Sequence, residues 1–169
     1  MGYEFCVNVM DEAVLRNDTE SVKLLLNHRS DYHFFRNAPL VIASTMGNID
    51  MVRLLLNDNR TESTVQGALY IAARYGYLDI AELLLKYQTS DILHVNLALV
   101  VINEDIDMLR LLLNDSCCNV SEDNNRCLKY LARCKDNNMA SEMIAMFLRH
   151  PNIKLTEEER VIYESMLGG

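Results

Sequence analysis

No apolar run in this 169-residue chain approaches the ~20 residues needed to span a bilayer. The opening stretch, MGYEFCVNVMDEAVLRND, lacks a basic segment followed by an apolar one, so no secretory signal is read there. Both absences point to a cytosolic protein with reduced thiols, in a host cytosol if it is an effector or viral protein. Lys and Arg are scattered, mostly singly, and form no stripe on a chain of net charge −8. Phosphate contacts dominate nucleic-acid affinity, so nucleic acid is not expected as a partner, and nor is an anionic membrane surface. A basic or mixed protein surface is easier to accommodate.

Chemistry-bearing patterns are also missing. The cysteines, Cys6, Cys117, Cys118, Cys127 and Cys134, are odd in number and contain no CxxC. Neither a disulfide framework nor a zinc site is expected from them. They read as small buried apolar residues, with Cys127 and Cys134 seven apart on one helical face. His28, His33, His94 and His150 lie in no HExxH or nucleophile arrangement. Apart from Gly168–Gly169 the glycines sit singly, so no phosphate-cradling loop is present. No cofactor, no metal and no catalysis are expected. Met1–Gly2 lacks the Ser or Thr of a myristoylation signal, since position 6 is Cys6. The sequons at Asn17, Asn59, Asn114 and Asn119 read as chance in an Asn-rich chain.

What the chain does have is one phrase four times. Leu24–Leu26, Leu54–Leu56, Leu83–Leu85 and Leu111–Leu113 recur every 28 to 30 residues. Eleven residues before each first leucine stand Ala13, Ala43, Ala72 and Val100, and three before those Met10, Leu40, Leu69 and Leu97. Seven residues after each Ala or Val comes an acid: Glu20, Asp50, Asp79 and Asp107. The offset of 11 carries two helices and their turn as one unit. Leu40, Ala43 and Gly47 share one face of a short helix that Pro39 can open. Gly47 and Gly76 supply the positive φ that ends such a helix. The acid then meets the positive dipole end of a second helix, which buries its leucines. A hairpin of this kind cannot bury both faces, so it must stack on a neighbour.

APLVIASTMGNIDMVRLLLN (Ala38–Asn57) and GALYIAARYGYLDIAELLLK (Gly67–Lys86) resemble the ankyrin repeat. Asn8–Asn27 and Val95–Asn114 are degraded versions, with Val100–Val101 replacing the alanine pair and Glu104 the glycine. A fifth unit spans 126–150, with Leu128, Leu131 and Ala132 in its first helix and Ile144, Met146, Phe147 and Leu148 in its second. About four extra residues separate those helices. Thr156 and Glu159 form a capping-box signature, so EEERVIYESML (within 156–167) is a closing helix, whose consecutive glutamates supply a polar outer face. The expected fold is an all-α, ankyrin-like helical-hairpin solenoid of four to five repeats with terminal caps, in one domain over 1–169. The segments NDNRTESTVQ and KYQTSDILH are short and glycine-free, so little β-finger is expected.

The resemblance implies a non-catalytic module that binds a protein through its concave face, and a monomer is expected. Carried over position by position, that face holds Thr45 and Met46, Arg74 and Tyr75, and Ile102 and Asn103, with Asn37, Gln66 and His94 just before the first position of each unit. Arg36, Tyr70 and Tyr77 lie nearby, and the alternative for Tyr70 and Tyr77 is packing between hairpins. Phe34 and Phe35 read as a staple under their loop, with an exposed anchor as the alternative. A second functional reading belongs to another class: the substrate- or host-target-recognition part of a larger enzyme or pathogen effector whose active domain lies outside this chain.

Overall fold

A computed structural model describes residues 2–28, 39–58, 64–87, 97–115, 120–134 and 138–167; side chains 2–8 and 122–124 are not described. Among these residues there are eleven helices and no strand. The chain divides into two compact units, Met1–Thr89 and Ser90–Gly169.

The first unit holds three hairpins: α1 (Gly2–Leu15) with α2 (Thr19–Asn27), α3 (Pro39–Thr45) with α4 (Ile49–Leu56), and α5 (Val65–Tyr75) with α6 (Leu78–Leu85). Helices of seven to fourteen residues are marginal alone in water, so packing must hold them. First helices stack in sequence, α1 on α3 and α3 on α5, while α4 packs on α6. Their core is made by the residues that carry the repeat: Leu40, Ala43, Leu69, Ala72, Leu55 and Leu84 are all fully buried. Ser44 joins them because its hydroxyl donates to the Leu40 carbonyl at 2.8 Å, which satisfies that buried group. Helix α5 begins at Val65, two residues earlier than the repeat pattern suggests.

One expectation fails here. The leucines of α2 are not core: Leu24 is 70% exposed and Leu25 and Leu26 are only half-buried. Helix α2 packs on α1, and Val22 is its fully buried residue.

The second unit pairs α7 (Leu97–Ile102) with α8 (Ile106–Leu113), then α9 (Glu122–Leu131) with α10 (Asn138–Arg149), and ends in α11 (Glu157–Ser165). Helix α7 packs on α8 and α9, and α10 on α8, α9 and α11. Leu109, Leu112, Leu128 and Phe147 are fully buried at its centre, and Leu131 and Ile144 nearly so. Asn125, itself buried, donates to the Lys154 carbonyl at 2.8 Å, and the Lys154 amide donates to Ser121 Oγ at 2.9 Å. These bonds pin the approach to α11 onto the start of α9. The capping box is present: the Glu159 amide donates to Thr156 Oγ1, and the Thr156 amide donates back to Glu159 Oε2, both at 3.1 Å.

Two details of the second unit differ from the sequence reading. Cys134 lies beyond the end of α9, and both it and Cys127 are half-buried rather than core. The exposed side of α11 is not polar throughout: Val161 and Ile162, with Met166 and Leu167 just past its end, are exposed beside Glu157, Glu158, Glu164 and Ser165. The inter-unit segments around 59–63 and 88–96 lie outside the described residues, as do Phe34 and Phe35.

Candidate functional site

The site is built on a turn. Each of the first four hairpins reverses through a residue in the left-handed region: Asn17 (φ 55°), Gly47 (65°), Gly76 (72°) and Glu104 (56°). L-residues pay a steric cost there, which glycine avoids. Asn17 tolerates it and also accepts a hydrogen bond from Asn48 Nδ2, one hairpin on, at 2.7 Å.

The next residue in each turn stands at the N-cap of the second helix. Asp18, Asn48 and Asp105 accept there from the amides of Ser21, Met51 and Met108, each at 3.0 Å. The Ser21 hydroxyl, together with that amide, holds the Asp18 carboxyl below its ordinary value. The third hairpin breaks the pattern. Tyr77 occupies the cap and makes no capping bond, and the Ile80 amide donates to Asp79 Oδ1 at 2.8 Å instead. Its ring lies over Gly47 instead, so close that a Cβ at position 47 would sit 2.9 Å from Tyr77 Cζ. The residue at the cap position serves inter-repeat packing, while its neighbour Asp79 takes the amide.

That packing carries a surface feature. The Tyr75 ring stacks on Tyr77 with centroids 6.0 Å apart and planes 28° from parallel. The Arg74 guanidinium carbon lies 5.8 Å from the Tyr75 centroid, within cation–π range. Tyr75 nevertheless stays 51% exposed. It is an outward aromatic held by Arg74 and by Tyr77, which Gly47 supports in turn.

Thr45 and Met46 are exposed at the matching positions of α3, with the Thr45 hydroxyl donating to the Val41 carbonyl at 2.8 Å. Because α1, α3 and α5 stack, the same register adds two residues that the sequence reading left out. Leu15 and Arg16 follow Ala13–Val14 as Arg74 and Tyr75 follow Ala72–Ala73, and both are exposed. The offset from the small pair was enough to find them. Arg16 pairs with Glu12 at 2.6 Å, a surface ion pair of little energetic weight. The helix ends of the first unit therefore present Leu15, Met46 and Tyr75 with Arg16, Arg74 and Thr45.

The remaining candidates fall elsewhere. Gln66, Tyr70 and Tyr77 are half-buried. Ile102 and Asn103 are exposed at the end of α7, in the second unit. Arg36, Asn37 and His94 lie outside the described residues. His150 is buried, its Nδ1 accepting from the Asn152 amide at 3.2 Å, and His28 is exposed. Among the described residues no three His, Cys, Asp or Glu side chains group so as to hold a metal ion, and no helix is long and apolar enough to cross a membrane. The chemistry on offer is recognition by stacking, apolar contact and a cation.

A family model described as ankyrin repeats, three copies long, matches residues 10–96, just over half of the chain. No curated protein and no solved structure matches. The matched span covers the three hairpins of the first unit, with their stacked helices, buried small residues and left-handed turns, and the chain belongs to the ankyrin-repeat family.

Proposed function

We propose that this protein is a non-catalytic, monomeric, cytosolic interaction module that grips a protein partner through the helix-end face of α1, α3 and α5. Ankyrin repeats are in general protein–protein interaction modules, and this face is where the chain spends residues the fold does not need. The observation that carries the reading is Tyr75, exposed yet held by Arg74 and Tyr77. An aromatic fixed before binding loses little ordering entropy, and Tyr and Arg are enriched among residues that dominate interface energies. Leu15 and Met46 extend the contact with apolar area. The net charge of −8 favours a partner whose surface is basic or mixed.

Affinity capture from cytosolic extract, read by mass spectrometry, tests this. The baits are the wild-type chain, an Arg74→Ala, Tyr75→Ala variant and Tyr87→Ala, all checked by circular dichroism. Tyr87 is also exposed but lies outside the face. A specific prey kept by the wild type and Tyr87→Ala should be lost with the double variant. The expected weakening is about 2 kcal/mol or more, roughly thirtyfold in Kd. Retention of the same prey by the double variant would refute the face.

A further inference from the structure

The methionines of this chain divide by exposure. Met10, Met51, Met108 and Met143 are buried, Met51 and Met108 fully. Met46 is 43% exposed, one residue past the end of α3. It stands three residues after Ala43, as Arg16 stands after Ala13 and Tyr75 after Ala72. Met139 and Met166, also exposed, belong to the second unit. Among the described residues, Met46 is thus the exposed methionine of the face on α1, α3 and α5.

Its backbone is fixed. The Met46 amide donates to the Ile42 carbonyl at 3.0 Å, and the Gly47 amide to the Ser44 carbonyl at 3.1 Å. Its side chain is the middle apolar contact of the row, because α1 stacks on α3 and α3 on α5, with Leu15 on one side and Tyr75 on the other. An unbranched thioether adapts to the shape of a partner. The same sulfur is open to a two-electron oxidant wherever water reaches it. Cysteine thiolates react with such oxidants too, but Cys127 and Cys134, the cysteines with described side chains, lie in the second unit.

We propose that Met46 is a redox-modification site, at which a peroxide converts the thioether to the sulfoxide and releases the partner. This rests on the reading of the α1, α3 and α5 face as the binding surface, and adds its regulation. The sulfur lone pair attacks one peroxide oxygen. The O–O bond breaks as the S–O bond forms, and the second oxygen leaves as water after taking up a proton. Sulfur is oxidised by two electrons and the peroxide is reduced by two. The sulfoxide oxygen is a strong acceptor, and a dry contact would have to strip it of water, a cost the thioether does not carry. Met46 lies outside the core, so oxidation there leaves the fold in place, and methionine sulfoxide reductases can reverse it.

The test treats three baits with hydrogen peroxide: the wild type, Met46→Leu and Met46→Gln. Each is desalted before it meets cytosolic extract, so that the bait alone is oxidised. Peptide mapping should find Met46 oxidised at least about tenfold more than buried Met51, with circular dichroism unchanged. The prey that depends on Tyr75 should be held at least about tenfold less by the oxidised wild type. Oxidised Met46→Leu, which keeps the same cysteines, should hold it fully, and Met46→Gln should bind poorly even before treatment. Incubating the oxidised wild type with methionine sulfoxide reductases A and B and a thiol reductant should restore capture. Bound prey should in turn slow the oxidation of Met46. Protection of Met46 equal to that of Met51, full capture by the oxidised wild type, or equal loss by Met46→Leu would each overturn the proposal while leaving the face as the binding surface. If no prey depends on Tyr75, the face itself is refuted and this inference falls with it.

Discussion

The third hairpin and the fourth make one shape from different letters. In the third, Ala72–Ala73 lets the helices approach, Gly76 turns the chain at φ 72°, and Tyr77 leaves the cap empty. In the fourth, Val100–Val101 fills the same buried places, Glu104 takes the left-handed turn at φ 56°, and Asp105 caps the next helix. Helices α6 and α8 are the same length, and Leu84 and Leu112 are both fully buried. The geometry outlasts the motif. In the third hairpin Asp79 takes the amide that Asp105's counterpart would cap, and the residue at the cap, Tyr77, supports an exposed aromatic.

Four measurements can break or sharpen this comparison. Leu84→Ala and Leu112→Ala should each lower stability by ~2–5 kcal/mol in urea unfolding, while Leu24→Ala should cost below about 0.5 kcal/mol. A small cost at Leu112 would show that the fourth hairpin is packed less well than the third. Gly47→Ala places a side chain in the left-handed region and against the Tyr77 ring. It should cost about 2 kcal/mol or more and disturb the Tyr75–Tyr77 stack, seen as shifted aromatic NMR signals. Glu104→Gly should act oppositely, stabilising by about 1 kcal/mol, because it removes the same backbone cost. A neutral or negative result would mean that Glu104 earns its place through contacts of its own. The smallest effect distinguishes two caps. The Asp18 carboxyl is held below its ordinary value of 3.8 by its bonds from Ser21. Its stabilisation is therefore present above that value and is lost as pH falls through the lower folded one. The Ser21 amide signal should move in acid, and the Met51 amide, capped by neutral Asn48, should not.

Much of the fold was legible because the helical repeat couples two periods, the offset within a hairpin and the spacing between hairpins. Leu40, Ala43 and Leu55 could be assigned to the core on that basis, and Gly47 to its turn. The exposure of single residues was not legible. Leu24 belongs to the same triplet pattern as Leu54 and Leu83 and is nevertheless exposed, because the triplet fixes a spacing and not which neighbour covers each leucine. The three glutamates of α11 likewise suggested a polar cap, while Val161 and Ile162 beyond them stand exposed. At the candidate face, Thr45, Met46, Arg74 and Tyr75 follow from the ankyrin resemblance, which sets the two residues after the small pair toward the groove, and Leu15 and Arg16 would have followed had it been applied to the first hairpin. The support of Tyr75 was out of reach. Nothing in the letters YGY says that the second ring leaves its cap to lie over a glycine one repeat earlier.

The most direct test is photo-crosslinking with benzoylphenylalanine placed in turn at Tyr75, Tyr87 and Tyr130, all exposed tyrosines. If the supported aromatic is the contact, position 75 alone should yield a covalent adduct with a discrete partner in cytosolic extract. Adducts from position 87 or 130, with none from 75, would contradict the account and move the binding surface away from the helix ends of the first three hairpins.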